Sequence, residues 1–218
     1  RDRRLHSYWR SSAAYRVRIA LGLKGIAFES VCWHMANGEH LQQRYRDLAS
    51  FGLVPMLEID GLRLQQSLAI IEYLEERNPD PPLLPSERSQ RARARALAQL
   101  VACEIHPLNN LRVLKRLRGS LRADDAQVAD WYRHWCHEGF QALESALEPF
   151  EAGPFALGAQ PSIVECCLIP QIYNARRYEV PMAAYPRILA IAATCDGLAA
   201  FDAARPERQP DAPTSSPS

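Results

Sequence analysis

The chain has 218 residues, 47% of them hydrophobic, enough to bury a sizeable core as one large domain or two small ones. Lys and Arg number 26 against 25 Asp and Glu, which excludes a global field drawing the chain to nucleic acid or an anionic membrane. No apolar run approaches the roughly 20 residues that cross a bilayer, and Arg1-Asp2-Arg3-Arg4 leads into a strand-like stretch instead of a signal-peptide core, so a soluble, cytoplasmic protein is expected.

Leu5 to Trp9 reads as a short strand, and beyond the Ser11-Ser12 corner Val17, Ala20 and Leu21 keep helical spacing up to Gly25, a residue suited to a helix C-terminus. Phe28 to Cys32 is a second strand and His40 to Leu48 a second helix. Met56–Ile59 and Leu62–Gln65 are strands about an Asp60-Gly61 turn, and Ser67 begins a third helix. Strand, helix, strand, helix, hairpin, helix joins a right-handed parallel crossover to an antiparallel ribbon, the thioredoxin-like arrangement. Asn78-Pro79-Asp80-Pro81-Pro82 then stops any helix. Beyond it, Glu87 to Arg118 carries an apolar stripe of Leu97, Leu100, Val101, Ile105 and Leu108 over about six turns. Further helices are expected over Asp124–Leu147, Ile163–Tyr178 and Pro186–Cys195. The predicted class is α/β plus all-α: a thioredoxin-like domain over 1–82, a helical bundle over 87–211 and a frayed, disordered tail over 212–218. Cys32, Cys103, Cys136, Cys166, Cys167 and Cys195 lie in apolar surroundings without metal-ligand spacing, so they are expected to be buried, reduced packing residues.

Val54-Pro55 stands just before a strand, where a cis bond that exposes the backbone groups of Val54 to an extended peptide is the economical reading; an ordinary trans proline is the alternative. Gln66-Ser67 opens the third helix. A hydroxyl, free N–H groups and the positive dipole end converge there, either as a plain cap or as a carboxylate site. In the helical half, His106 and Asn110 are four apart and share a face of an ideal helix, with Pro107 bending it between them. That suggests a cleft wall, or a buried helix with a satisfied histidine. Arg112 lies on another face.

Arg10-Ser11-Ser12-Ala13-Ala14-Tyr15-Arg16-Val17-Arg18, Val54-Pro55, Gln66-Ser67-Leu68-Ala69-Ile70-Ile71-Glu72, Ile105-His106-Pro107-Leu108-Asn109-Asn110, Asn174-Ala175-Arg176-Arg177-Tyr178 and Arg208-Gln209-Pro210-Asp211 together resemble the zeta class of the glutathione S-transferase family, nearly end to end. The resemblance implies the glutathione transferase fold, glutathione as cofactor and a homodimer. It implies that Ser11, with Ser12 beside it, serves the glutathione sulfur, and that Val54, Pro55, Gln66 and Ser67 hold the tripeptide. Substrate carboxylates fall by the same resemblance to Arg10, His106, Asn110, Arg112 and Arg177. The implied reaction is glutathione-dependent cis–trans isomerisation of a maleyl dicarboxylate, maleylacetoacetate or maleylpyruvate, in aromatic catabolism. Displacement of halide from small α-halo acids, or a non-catalytic binding module, are the alternatives. Ala13 stands where many members carry cysteine, and Ala49-Ser50-Phe51-Gly52-Leu53 lacks the glutamine often found before the proline. Ser162-Ile163-Val164-Glu165 has the chemistry of a capping box.

Overall fold

The computed structural model describes residues 3–150 and 153–214. Two compact units form: one runs to Leu83 and takes in the chain again from Asp196, and the other is Leu84–Cys195.

In the first unit β1 (Arg4–Ser7), α1 (Ser12–Leu23), β2 (Glu29–Cys32), α2 (Gln43–Arg46), β3 (Met56–Ile59), β4 (Leu62–Gln65) and α3 (Ser67–Arg77) follow in order. The sheet runs β2-β1-β3-β4, with β1 parallel to β2 and antiparallel to β3, and β3 antiparallel to β4. This is the expected thioredoxin-like topology. Asp60 (φ 51°) and Gly61 (φ 78°) form the hairpin turn, the left-handed pair that Asp-Gly favours. Leu5 and Leu57 are cross-strand partners, as are His6 and Met56, so alternation sends the leucines to one face and His6 and Met56 to the other. Trp33 and Tyr45 cover the His6 face, their rings 6.0 and 6.1 Å from it. The expected helix over His40–Leu48 is shorter: a tight turn at Glu39–Leu41 precedes α2, of which only Tyr45 is buried. A polar run with one buried anchor has no apolar stripe to stabilise more turns.

The second unit contains α4 (Arg88–Gln99), α5 (Leu111–Arg118), α6 (Asp125–Leu147), α7 (Ile163–Arg177) and most of α8 (Pro186–Asp196). The stripe from Glu87 to Arg118 is interrupted. After α4 the chain widens into a π-helical stretch, Leu100–Ile105, tightens into a 3-10 turn at His106–Asn109 and restarts at Leu111. Pro107 supplies the cause, because it lacks an N–H and its ring clashes with the preceding turn. Leu97, Val101 and Ile105 are buried nonetheless. A Cβ on Gly139 of α6 would fall 2.1 Å from Ile105 Cγ1, so the close approach of α6 to the widened stretch requires glycine. Asp124 and Gln127 close a capping box on α6, and Ser162 and Glu165 close the expected one on α7. Glu165 is wholly buried and accepts from the N–H groups of Ala156 (2.6 Å) and Ser162 (2.7 Å) and from the Ser162 hydroxyl (2.8 Å). Burial pushes its carboxyl up, and these donors oppose the shift.

Three expectations are corrected. The helical bundle was expected to run to residue 211, but the chain from Asp196, with α9 (Ala199–Ala204), groups with the first unit, where α9 packs on α1. Of the tail, Ala212 packs against the aromatic cluster of Tyr8, Trp9 and Trp33, and residues 215–218 lie outside those described. All six cysteines are free thiols, yet Cys103 is exposed and Cys32 half-buried; the widened stretch turns Val101 and Ile105 inward and Cys103 outward. Among the described residues, no helix is long and apolar enough to cross a membrane.

Candidate active site

Topology gathers the first set of site residues. β1 and β4 each pair antiparallel with β3, so they point the same way and end at one edge of the sheet. His6, Met56 and Gln65 are in line across the three strands. The β1–α1 corner with Ser11 and Ser12, the Val54–Pro55 step before β3, and Gln66–Ser67 after β4 therefore share that edge.

Ser11 is the N-cap of α1, with its N–H bonded to Tyr8 O at 2.9 Å and its Oγ accepting from Ala14 N–H at 3.1 Å. A hydroxyl has one donor besides its lone pairs, so the cap leaves the O–H free to donate outward. Ser12, the first helical residue, is buried at 5% exposure, and Ser11 is half-buried. Val54–Pro55 is cis, as expected. The Tyr45 hydroxyl donates to Leu53 O at 2.7 Å and pins the preceding loop. Among the described residues neither backbone group of Val54 takes part in a backbone hydrogen bond.

Gln66 sits at φ 71°, a region that costs a side-chain-bearing residue about 1–3 kcal/mol and persists where its surroundings hold it, often at ligand clamps. Its side chain makes no cap bond to α3. Ser67 Oγ accepts from Arg16 Nη1 at 3.1 Å, and both residues are buried. A guanidinium thus stands beside the positive end of α3, and the two fields together favour an anion at Ser67. Arg16 is a residue the sequence reading did not select. The available signal was a charge inside a helix buried almost throughout from Ser12 to Leu21. Arg10 is exposed, its guanidinium 4.4 Å from the centroid of the Trp9 ring.

In the second unit the expected shared face of His106 and Asn110 is not formed. His106 opens the 3-10 turn, and Asn110 is extended (φ −67°, ψ 151°) ahead of α5, with no side-chain cap bond. The turn is tied to α6: Asn109 Nδ2 donates to Tyr132 O (3.1 Å) and Trp131 Nε1 to Leu108 O (2.8 Å). Tyr132 stacks on Tyr178 at 3.8 Å and 8°. Arg177 lies 5.5 Å from the Tyr178 ring and donates to Asn174 Oδ1 at 3.2 Å. The His106 turn and Arg177 are thus joined through a stacked tyrosine pair, of which Tyr132 was not singled out in the sequence. Arg112 is exposed in the first turn of α5.

Residues 10–77 match the glutathione S-transferase N-terminal domain family. A probable maleylacetoacetate isomerase of Vibrio cholerae is 47% identical over 211 residues, 95% of this chain and 97% of that one. A bacterial zeta-class maleyl pyruvate isomerase in its holo form superimposes with TM-score 0.94 at 42% identity, covering 96% of this chain and all (100%) of that one. A maleylacetoacetate isomerase of Methylobacterium extorquens AM1, solved with malonate and glutathione bound, gives 0.92 at 39% identity, covering 97% of this chain and 100% of that one. The chain belongs to the zeta class of the glutathione S-transferase family, the group of maleylacetoacetate and maleylpyruvate isomerases.

Proposed function

We propose that this chain is a glutathione-dependent isomerase that converts a maleyl dicarboxylate, maleylacetoacetate or maleylpyruvate, to its fumaryl isomer. The observation that carries the reading is the shared edge of the first unit, where a capping hydroxyl, unpaired backbone at Val54 and the Ser67–Arg16 anion corner lie together. Those are the complements of a thiol, an extended peptide backbone and a carboxylate, the parts of glutathione.

Ser11 donates its O–H to the glutathione sulfur and favours the thiolate over the thiol. It acts as a hydrogen-bond donor, not as a base. Val54 pairs the tripeptide backbone, Pro55 sets the turn that presents it, and Gln66, Ser67 and the start of α3 hold the carboxylate. The thiolate adds to one carbon of the cis double bond, and the electron pair moves into the adjacent carbonyl as an enolate. The former double bond, now single, rotates; the enolate collapses, expels the thiolate and leaves the trans double bond. Glutathione is regenerated and no other reactant is consumed. In this reading the substrate carboxylates fall to Arg177 with His106, Asn110 and Arg112, and to Arg10, because a guanidinium fork matches a carboxylate. The same reading includes a cytoplasmic homodimer. The mostly apolar cavity lined by Arg93, Ala96, Leu97, Leu100, Ala146 and Pro149 offers surface for association.

Turnover of both maleyl compounds, measured with and without glutathione, tests the reading. It predicts isomerisation of at least one compound, dependent on glutathione. Equal rates without glutathione, or no turnover of either compound, would overturn it.

A further inference from the structure

The closing Arg208-Gln209-Pro210-Asp211 stretch has no part in the chemistry above, yet Asp211 reaches the loop that carries Ser11. The Trp9 N–H donates to Asp211 Oδ2 at 3.0 Å, and the Trp9 carbonyl accepts from Arg18 Nη2 at 3.2 Å. Two residues on, the Ser11 N–H closes the turn onto Tyr8 O at 2.9 Å. We propose that Arg18 and Asp211 are positioning residues for the thiol corner: they grip both backbone groups of the Trp9 residue and so fix where Ser11 directs its hydroxyl. The proposal rests on the reading of Ser11 as the sulfur's donor.

Arg18 is 2% exposed. Its other donors reach Ser7 Oγ (3.2 Å) at the end of β1 and Ala204 O (3.0 Å) at the end of α9. One guanidinium therefore joins the strand, the loop and the C-terminal segment. Burying such a charge is costly unless its hydrogen bonds are made, and here one of them goes to the loop ahead of Ser11. Asp211 is anchored as well. Burial first, and then the Asp211 carboxylate, push the Cys32 thiol up to about 11, so Cys32 stays a neutral thiol beside it. Ala212 next to it packs against the cluster that contains Trp9. A donor that must meet a sulfur within a few tenths of an ångström needs a supporting shell of this kind.

The test compares Asp211→Ala, which removes the acceptor, with Asp211→Asn, which keeps an oxygen there. The readout is the pH midpoint of the thiolate absorbance of enzyme-bound glutathione, taken with kcat and the KM for glutathione, with Ser11→Ala in parallel. Asp211→Ala is expected to raise the midpoint and lower kcat about tenfold, with the KM for glutathione changed less than about twofold. Asp211→Asn should restore most of both. A residue that only stabilises the fold would lower the melting temperature and leave the midpoint at the parent value, and that result overturns the proposal. If Ser11→Ala shifts the midpoint and Asp211→Ala does not, the positioning role is wrong and the Ser11 reading stands. If neither shifts it, the Ser11 reading fails and takes the positioning role with it. Should Asp211→Ala not fold, Asp211→Glu carries the same comparison, because it keeps the charge but displaces the oxygen by one methylene.

Discussion

Replacing Ser11 with alanine removes two interactions that separate measurements can tell apart. The first is the cap: Ser11 Oγ accepts from Ala14 N–H at 3.1 Å, and its loss costs about 1 kcal/mol of stability. The second is the outward O–H, which in the proposed mechanism donates to a thiolate; hydrogen bonds to charged groups contribute about 1.5–3 kcal/mol. At about 1.36 kcal/mol for each pKa unit, its loss should raise the midpoint of the bound thiol by about one to two units. At neutral pH the thiolate, and kcat with it, then falls roughly ten- to hundredfold. Glutathione affinity should change far less, because Val54 and the Ser67–Arg16 corner remain. Ser12→Ala should be milder, since Ser12 is 5% exposed and two adjacent hydroxyls do not share the best donor position. Ultraviolet titration of the bound thiolate, with calorimetry for affinity, measures both quantities. An unchanged midpoint in a Ser11→Ala enzyme that binds glutathione would refute the assignment.

Other perturbations bear on the substrate and on the fold. Arg177→Lys keeps the charge and loses the fork, so the KM for a maleyl dianion should rise while glutathione binding holds. Because Arg177 is exposed, a loss near 1 kcal/mol, about fivefold, is the appropriate scale; an equal loss with a neutral electrophile would remove the carboxylate role. Lys24 Nζ, wholly buried, bonds Glu75 Oε2 at 2.5 Å and the carbonyls of Asn78 and Pro81 at 2.6 Å each. Glu75→Leu leaves that ammonium without its counter-charge and should cost about 3–5 kcal/mol in urea unfolding, against which a loss under about 1 kcal/mol would count. Trp33 Nε1 donates to His6 Nδ1 at 3.0 Å, which requires that nitrogen unprotonated. Burial, opposed by Glu58, lowers the His6 pKa below 6.5. Below pH 6.5 the unfolded chain takes up the proton first, so stability should fall from there down to the lower folded value and level off. Denaturant midpoints against pH would show the slope, and its persistence in His6→Gln would assign it to another group.

What the sequence disclosed was local. Asp60-Gly61 between alternating strands fixed the hairpin because only a left-handed pair closes it. The Ser162–Glu165 box and the cap at Ser11 were legible because a side chain there satisfies N–H groups within its own turn. What stayed hidden depends on contacts distant in the chain. Arg16 meets Ser67 across 51 residues, and Trp9 meets Asp211 across 202; no periodicity reports either. The His106–Asn110 spacing misled for a different reason: it assumed a continuous helix through Pro107, and the proline ended that helix instead of bending it. The mid-helix charges of Arg16 and Arg18 were the unused clue, since a guanidinium in so buried a helix demands partners.

The proposed isomerisation returns its glutathione, so stoichiometry separates it from conjugation. With glutathione limiting and maleylacetoacetate or maleylpyruvate in large excess, proton resonance spectra should show fumaryl product accumulating far beyond the glutathione added, with the thiol intact at the end. Product that stops at one equivalent of glutathione, recovered as a stable thioether, would show a transferase acting by conjugation and rule out the isomerase.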